Sequence, residues 1–333
     1  MIEDMDRRIG IMGTGHIAGK MARTISEMKG CTIHAVGSRT QEKADEFAAR
    51  FGIPKAYGSY EELIADPDVE LIYIATPHGH HCEHGLMCIE GGKPVLCEKA
   101  FTANAREAEA VIRKAEEKGV FITEAIWTRY MPLSLKIVDL VNEGAIGRPY
   151  TLSANLCYPI AWKERIQRPE LAGGALLDIG IYPLNFAAMI FGDEIERTVS
   201  ACTKTDTGMD EQESITQFFS GKRMAVLHSS IYPNSDRNGI ISGDKGFIVV
   251  ENVNNPQVAR VFNLDYQMTE EYYAPPQITG FEYEVAASFD AIDKGLSESP
   301  FMPHRETLRM MKMMDSLREE WGIVFPNDSR VLE

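Results

Sequence analysis

The sequence predicts an α/β protein with an N-terminal, doubly wound parallel sheet, followed by an α+β domain built on a large, mostly antiparallel open sheet. Two observations support this. In the first third of the chain, continuous apolar runs alternate with helical patterns, as in a parallel sheet covered on both faces. From residue 149 to about 273, runs rich in Thr, Val, Ile, Phe and Tyr alternate with turn residues. The 333 residues suit about two domains, placed at 1–124 and 125–333.

The first domain is predicted from alternating runs. Strands are expected at residues 8–12, 32–37, 71–75, 94–97 and 120–123. Helices are expected at residues 17–28, 41–51, 60–65, 82–90 and 105–118. Gly119 follows the last of these helices, where glycine commonly ends a helix. Ligands of such sheets bind at the carboxyl ends of the strands, so the residues there are the candidates for function.

The second domain opens with one expected helix, residues 133–143, before Gly144. Strands are expected at residues 150–156, 199–203, 214–219, 224–230 and 247–250. Residues 243–246, Gly-Asp-Lys-Gly, have the composition of a hairpin turn. Two helices, at residues 281–294 and 305–321, are expected to close the chain.

Composition and charge exclude several classes of protein. Lys and Arg number 34 and Asp and Glu 49, so the formal net charge is −15. Binding to nucleic acid or to an anionic membrane needs a basic face, and neither partner is expected. No stretch approaches the about 20 apolar residues of a membrane span, and residues 1–8 lack the apolar run of a secretory signal. Six scattered cysteines without a CxxC pair indicate reduced thiols and a cytoplasmic location.

A glycine-rich loop, Gly13-Thr14-Gly15-His16-Ile17-Ala18, joins the first strand to the first helix. A GxGxxA pattern in that context is typical of a Rossmann dinucleotide site. Gly13 allows the tight turn, and Gly15 lets the backbone approach a pyrophosphate at the helix N-terminus. The alternative is a glycine turn in an α/β protein that binds no nucleotide.

The end of the second strand predicts which dinucleotide binds. An NAD site carries an acid there for the ribose 2′-hydroxyl, whereas this chain has Ser38-Arg39-Thr40 and no acid before Glu42. Ser38 and Thr40 can donate hydrogen bonds, and Arg39 can pair with a 2′-phosphate. We therefore expect NADP. If Arg39 is a solvated charge at the helix start, NAD would serve equally well.

Two segments carry candidate catalytic groups. Glu98-Lys99 ends a buried strand, where a lysine can lower the pKa of a substrate hydroxyl while Glu98 holds it in place. Asp178 and Tyr182 are four residues apart, on one face if the segment is α-helical, and a tyrosine phenol beside a lysine can exchange a proton with that hydroxyl. The alternatives are a solvated Glu-Lys pair and a packing tyrosine preceded by an N-cap aspartate.

Together these motifs resemble those of the glucose-fructose oxidoreductase, inositol dehydrogenase and MocA family. The matching stretches span both predicted domains in the family's order, and they are Gly13–Ala18, Ala75–His81, Gly92–Lys99 and Gly173–Tyr182. Within the family, residues 124–132 and 173–182 are most similar to the branch of dimeric dihydrodiol dehydrogenase and NADP-dependent D-xylose dehydrogenase.

The resemblance implies that Lys99 is the catalytic lysine, that Tyr182 stands where other members carry histidine, and that Asp178 supports the site. Cofactor contacts beyond the glycine loop and residues 38–40 are expected at Thr76, Pro77, His78, His81, Glu98, Lys99, Trp127 and Arg129. Substrate contacts are expected at Lys99, Trp127, Arg129, Trp162 and Tyr182, with Arg165 shaping the same loop region. The family's use of its second sheet as an interface implies a homodimer.

Two residues depart from the family pattern. Its Glu-Lys-Pro is Glu98-Lys99-Ala100 here. The Lys99–Ala100 bond is therefore either trans, with Lys99 placed differently, or cis without a proline. His78 stands where many members have asparagine, and it can serve the site or the packing of the loop.

A cluster of histidines invites a competing interpretation as a zinc site. No CxxC or HExxH pattern anchors a ligand set, so we expect no metal. The cluster and its neighbouring thiols are His78, His80, His81, Cys82, His84 and Cys88.

The sequence thus predicts an NADP(H)-dependent oxidoreductase that moves a hydride between the nicotinamide and a secondary or anomeric hydroxyl of a sugar, polyol or trans-dihydrodiol. Tyr182, assisted by Lys99, would exchange the hydroxyl proton. The alternative is a nucleotide-binding sensor or regulator of the same fold without turnover, which the Ala100 departure motivates.

Overall fold

The computed structural model describes residues 6–331 and divides them into two compact units. The first unit holds the described residues up to Ile126, residues 277–312 and those from Asn327 onward. The second unit holds residues 127–276 and 313–326. The division drawn from sequence differs, because it assigned the whole C-terminal part to the second domain. Residues 1–5, on which the expectation of no secretory signal partly rests, lie outside the described residues.

The first unit contains the predicted parallel sheet. Its strands are β1 (Arg7–Met12), β2 (Cys31–Gly37), β3 (Lys55–Tyr57), β4 (Leu71–Ile74), β5 (Val95–Glu98) and β6 (Ile122–Ala125). They lie in the order β3-β2-β1-β4-β5-β6, and all pairs are parallel. β4 and β5 are buried along their whole length, which explains their continuous apolar sequences. The order reverses between β1 and β4, where such sheets bind ligands.

Five helices connect these strands, close to the predicted bounds. They are α1 (His16–Glu27), α2 (Gln41–Phe51), α3 (Tyr60–Ala65), α4 (His81–Glu90) and α5 (Ala105–Lys118). Capping residues explain why the ends of α2 and α5 could be predicted closely from sequence. Thr40 and Asn104 accept backbone N–H groups at the starts of α2 and α5, and Gly119 ends α5 with a left-handed φ of 64°.

The second unit contains an eight-stranded sheet in the order β14-β13-β12-β11-β7-β10-β9-β8. The strands are β7 (Pro149–Cys157), β8 (Ile195–Lys204), β9 (Asp210–Phe219), β10 (Arg223–Ser230), β11 (Gly239–Gly243), β12 (Gly246–Glu251), β13 (Val258–Asn263) and β14 (Met268–Tyr273). One pair, β7 with β10, is parallel and the others are antiparallel. The predicted open sheet is confirmed, and the expected hairpin turn joins β11 to β12.

The described part of the chain has four further α-helices: α6 (Pro132–Asn142), α7 (Ile181–Phe191), α8 (Glu282–Asp293) and α9 (His304–Trp321). Contacts with the parallel sheet and its helices explain why residues 277–312 belong to the first unit. The Thr279 hydroxyl lies 2.7 Å from that of Thr24 on α1, and His304 Nε2 lies 3.0 Å from the carbonyl oxygen of Ile122 in β6.

One helical segment of the described chain, Pro169–Phe191, is long and apolar enough to cross a membrane by length and composition, with a mean hydropathy of 1.5. The expectation that no stretch approaches this character was therefore wrong. Within the structure, 89% of the scored window is buried. A buried core helix passes the same test, so the segment is weak evidence for a membrane span.

Candidate active site

The glycine loop after β1 has the geometry of a dinucleotide site. Gly13 has a φ of +107°, and a Cβ there would lie 3.2 Å from the carbonyl oxygen of Ala75. Gly15 precedes α1 in an extended conformation, and no side-chain hydrogen bond caps the helix there. His16 and Ile17 form the first turn of α1 behind Thr14. The start of α1 therefore has backbone N–H groups without a side-chain cap next to a glycine loop, and this arrangement suits a pyrophosphate.

The residues that follow β2 fit a phosphorylated ribose. Ser38 is buried, and its hydroxyl lies 3.5 Å from that of Thr14. Arg39 is exposed and forms no ion pair within residues 6–331. Thr40 Oγ1 accepts the N–H of Lys43 at 3.4 Å, so Thr40 is the N-cap of α2 and has its hydroxyl hydrogen left to donate.

The His81 side chain bridges two backbone segments, the loop after β4 and Ala100, which follows Lys99. Its Nε2 lies 2.6 Å from the carbonyl oxygen of Thr76, and its Nδ1 lies 2.9 Å from that of Ala100. The ring is buried, and burial lowers the pKa of His81 to about 4 although both carbonyls favour the protonated ring. The sequence predicted His81 as a cofactor residue; in the structure it contacts the backbone on both sides of the site.

The other histidines of this loop lie in ring pairs, and the ring of His80 stacks on that of His84 at 5.7 Å. His78 lies on a short 3-10 turn that follows Pro77, with its ring 5.7 Å from that of His81. His84 Nδ1 lies 2.9 Å from the hydroxyl of Thr76, and burial lowers the pKa of His84 to about 3.

Within residues 6–331, one group of three side chains has metal-ligand spacing, and it is another one: His34, Asp66 and Asp68. The ammonium of Lys55 lies 3.0 Å from the Asp66 carboxylate and 3.4 Å from that of Asp68. Lysine therefore already neutralises these acids, and the group fits a metal poorly.

Lys99 follows directly after β5, in a backbone that several buried contacts fix. Glu98 is buried and accepts a short hydrogen bond from the Tyr73 hydroxyl. The N–H of Phe101 donates to Glu124 Oε1 at 3.1 Å. The Lys99–Ala100 bond is cis, which is the second of the two alternatives left open by the sequence.

A third acid, Glu284, lies near this segment, and no motif in the sequence marked it. Glu284 on α8 is fully buried, and neither of its carboxyl oxygens has a hydrogen-bond partner within residues 6–331. Burial and the charge of Glu98 raise the pKa of Glu284 well above its usual range. A glutamate among apolar residues of a helix is the sequence signal that could have identified it.

In the second unit, Tyr182 lies in the first turn of α7 and is 8% exposed. A π-helical turn, Leu176–Gly180, immediately precedes that helix and carries Asp178. The segment that carries Asp178 is therefore a π turn and not the α-helix assumed when Asp178 and Tyr182 were placed on one face. Such turns are frequent at functional sites.

Asp178 is buried, and its partner is Arg165, a residue that was expected to shape the substrate loop. Nη2 of Arg165 lies 2.8 Å and 3.0 Å from the two carboxylate oxygens of Asp178. Asp178 therefore holds a charged partner within the π turn and is not an N-cap. Arg165, expected to shape the substrate loop, is tied to this turn.

Arg129 is connected to the helix of Tyr182 through a residue that the sequence did not identify. It lies on the 3-10 turn Trp127–Tyr130, and its Nε donates to Asn185 Oδ1 at 2.7 Å. Asn185 is fully buried and donates in turn to the carbonyl oxygen of Ile181 at 2.9 Å. An asparagine one turn after Tyr182 in an apolar helix was the available signal.

Trp162 is separate from these contacts. Its side chain is 79% exposed, and its Nε1 donates to the carbonyl oxygen of Pro159 at 3.0 Å. The indole ring is therefore held at one edge, and the Lys163 ammonium lies over it at 5.8 Å from the ring centroid.

Comparisons with known proteins agree with this geometry. Residues 7–125 match the oxidoreductase family with an NAD-binding Rossmann fold, GFO/IDH/MocA, and residues 134–249 match the GFO/IDH/MocA C-terminal domain. Trans-1,2-dihydrobenzene-1,2-diol dehydrogenase of Xenopus laevis is 36% identical over 330 residues, which cover 97% of this chain and 100% of that protein. The human protein of the same name is 31% identical and covers 98% of this chain and 100% of its own.

Solved structures show the same fold at lower identity. A 3-ketoreductase from Actinomadura kijaniata in complex with NADP and TDP-benzene has a TM-score of 0.85 at 23% identity, covering 94% of this chain and 97% of that one. An aldose-aldose oxidoreductase from Caulobacter crescentus has a TM-score of 0.86 at 22% identity, covering 95% and 98%. The likeness to the dihydrodiol dehydrogenases spans nearly the full chain, and so this protein belongs to the GFO/IDH/MocA oxidoreductase family.

Proposed function

We propose that this protein is an NADP(H)-dependent dehydrogenase acting on a hydroxyl-bearing carbon of a trans-dihydrodiol or a related polyhydroxylated molecule such as a sugar. The observation that carries the proposal is the nearly full-length likeness to trans-1,2-dihydrobenzene-1,2-diol dehydrogenases. The named relatives are dehydrogenases and reductases, and nothing in them supports the alternative of a sensor without turnover.

The residues present fit a bound dinucleotide. The glycine loop and the start of α1 suit the pyrophosphate, and the nicotinamide, when bound, supplies the hydride acceptor. Preference for NADP is supported by the exposed guanidinium of Arg39 and by the lack of an acid between β2 and Glu42. An acid there would repel the 2′-phosphate.

Proton exchange is assigned to the chain's own residues. Lys99, as an ammonium, lowers the pKa of the substrate hydroxyl and orients it. The Tyr182 phenol takes the hydroxyl proton when the carbon is oxidised and returns it when the carbonyl is reduced. Asp178, bound to Arg165, holds the turn that carries Tyr182.

Turnover measured at 340 nm tests this assignment. The wild type is expected to reduce NADP⁺ with one class of substrate from a panel of trans-dihydrodiols, aldoses and inositols, with slower or no reduction of NAD⁺. Lys99→Met and Tyr182→Phe are each expected to lower kcat by about a hundredfold or more, because each removes a group that acts in proton transfer.

Matched controls separate chemistry from folding. Lys114→Met removes a lysine that pairs with Glu90 on the surface, and Tyr272→Phe removes a hydroxyl on strand β14. Both controls are expected to keep wild-type turnover. Full activity of Lys99→Met or Tyr182→Phe would refute the assigned roles, and silence of the wild type across the panel would refute the proposed substrate classes.

We also propose a homodimer formed through the outer face of the second sheet. One cross-strand row on that face runs Val199, Thr216, Val226, Ser153, Ile240 and Val249. Val199, Val226 and Ile240 are 52%, 40% and 39% exposed, so apolar side chains recur across the sheet. Exposed apolar side chains that recur across one sheet face, separated here by Thr216 and Ser153, support a surface that a partner covers. The cysteines, all unpaired, support a proposed cytoplasmic location.

A further inference from the structure

Two acids lie buried beneath the π turn that carries Asp178. Asp210 and Glu213 are 0% and 4% exposed, and both lie on strand β9. A carboxylate oxygen of Asp210 accepts the N–H of Leu176, the first residue of the π turn. The start of the turn is therefore held from the sheet by a carboxylate.

The two acids also explain glycines of the 173–182 motif. A Cβ at Gly174 would lie 2.2 Å from Asp210 Oδ1, and a Cβ at Gly180 would lie 2.1 Å from Glu213 Oε1. Gly180 has an ordinary helical φ of −61°, so its backbone does not require glycine. The lack of a side chain there makes room for the glutamate.

Most carboxyl oxygens of the two acids lack a hydrogen-bond partner of standard geometry in the described part of the chain. Asp210 Oδ1 and both carboxyl oxygens of Glu213 have no hydrogen-bond partner of standard geometry within residues 6–331. Adjacent buried carboxylates cannot both be ionised without a large penalty. Burial and the charge of Asp210 raise the pKa of Glu213 well above its usual range. Burial also raises the pKa of Asp210, to about 6, although the hydrogen bonds that Asp210 accepts from backbone N–H groups lower it. Of the two acids, Glu213 is the one whose protonated form this environment favours more strongly.

Other groups around the pair come from each neighbouring element. Arg318 on α9 is the cation that acts on Asp210, and Ser229 on β10 is near Glu213. The charge of Glu213 acts on the thiol of Cys157 on β7, and the charges of both acids act on the thiol of Cys202 on β8. Asp178 of the π turn is itself paired with Arg165.

We propose that Asp210 and Glu213 act as positioning residues for Tyr182: sharing one proton, they hold the π turn from below and so fix where the phenol meets the substrate hydroxyl. This inference rests on the proposed function, because it assigns geometry to that reaction. It predicts effects on kcat without effects on cofactor binding, since the glycine loop belongs to the other unit.

The first test compares three substitutions on β9. Asp210→Ala removes the acceptor of the Leu176 N–H and is expected to lower kcat by about a hundredfold, with the Kd for NADPH unchanged. Glu213→Gln keeps a hydrogen-bond donor and is expected to stay within about threefold of the wild type at pH 7. Glu211→Gln is the matched control, because Glu211 bonds to the Tyr232 hydroxyl on the exposed side of the sheet.

The second test is the pH dependence. In the wild type, ionisation of Glu213 as the pH rises through its raised pKa places two negative charges beneath the turn, so kcat is expected to fall as the pH rises. Glu213→Gln cannot ionise, and its kcat is expected to fall less or at higher pH. Urea unfolding gives a readout without activity. The stabilising effect of protonated Glu213 is complete below the unfolded-state pKa and is lost as pH rises through the folded-state pKa, so the wild type is expected to lose stability with pH more steeply than Glu213→Gln.

The outcomes are distinguishable. Equal loss of kcat in Glu213→Gln and Asp210→Ala at every pH would overturn the proposal, and so would identical unfolding profiles of the wild type and Glu213→Gln. An inactive wild type would refute the proposed function, and the unfolding series would still decide whether the pair shares a proton. If Asp210→Ala does not fold, the Glu213→Gln profiles decide alone.

Discussion

Arg39 has the properties of the side chain that selects the cofactor. It is exposed, it forms no ion pair in the described part of the chain, and it follows β2 where no acid competes. The charge of the Arg39 guanidinium acts on Tyr60 and on His80, so the guanidinium lies near the loop that follows β4. A single side chain at this position can therefore distinguish a 2′-phosphate from a 2′-hydroxyl.

We expect Arg39→Ala to raise the Kd for NADPH by about tenfold to a hundredfold, the value of a charged hydrogen bond, and to leave the Kd for NADH nearly unchanged. Fluorescence titration with each reduced cofactor measures both constants. Lys43→Ala, an exposed cation on α2, is the control for a general loss of positive charge. Equal weakening of both cofactors in Arg39→Ala would contradict the assignment.

At the scale of elements, strand β3 at the edge of the parallel sheet depends on one aspartate. Lys55 Nζ and the Tyr57 hydroxyl, both on β3, lie 3.0 Å and 2.8 Å from the same carboxylate oxygen of Asp66. The N–H of Asp68 donates to the other oxygen at 3.0 Å. Burial alone would raise the pKa of Asp66, but these hydrogen bonds lower it to about 2.

Asp66→Asn is expected to lower the free energy of unfolding by about 2 kcal/mol at pH 7, the value of a pKa held well below that of the unfolded chain. Because the folded-state pKa is depressed, this stability is present above the unfolded pKa and is lost as pH falls toward 2. The difference between variant and wild type should therefore shrink in acid, as urea unfolding at pH 7 and pH 3 would show. Asp68→Asn, at a half-exposed carboxylate, is the control.

At the scale of the whole molecule, the outer sheet face determines how copies associate in the proposed dimer. Val226 lies on β10 near the middle of the sheet, and its register pairs it with Thr216 on one side and Ser153 on the other. A charge at this point would be buried without a partner if a second copy covers the face.

Val226→Lys is therefore expected to convert the dimer to a monomer in sedimentation-velocity analysis, while the far-ultraviolet circular dichroism stays unchanged. Val324→Lys introduces the same charge at an exposed valine outside the sheet and should leave the dimer intact. A wild type that sediments as a monomer across micromolar concentrations would contradict the proposed dimer.

Local hydrogen bonds and apolar patterns fix the features of this protein that could be predicted from sequence. The bounds of α2, α3 and α5 follow from caps within a few residues, such as Thr40, Ser59, Asn104 and Gly119. The strands β4 and β5 were predictable because burial on both faces makes their sequences continuously apolar. The glycine loop and the Glu98-Lys99 pair were found because their chemistry lies within a few consecutive residues.

Tertiary structure decided what depends on residues far apart in the chain. Asp210 accepts the N–H of Leu176 from 34 positions away, and Gly180 makes room for Glu213 of another element. The π turn and the Arg165–Asp178 pair depend on contacts between different elements, so no local sequence pattern predicted them. β3 was missed because its three residues are half-buried and carry no apolar run. Buried polar groups find their partners when the chain packs, and those partners are set by the fold because an unpaired buried group is strongly disfavoured.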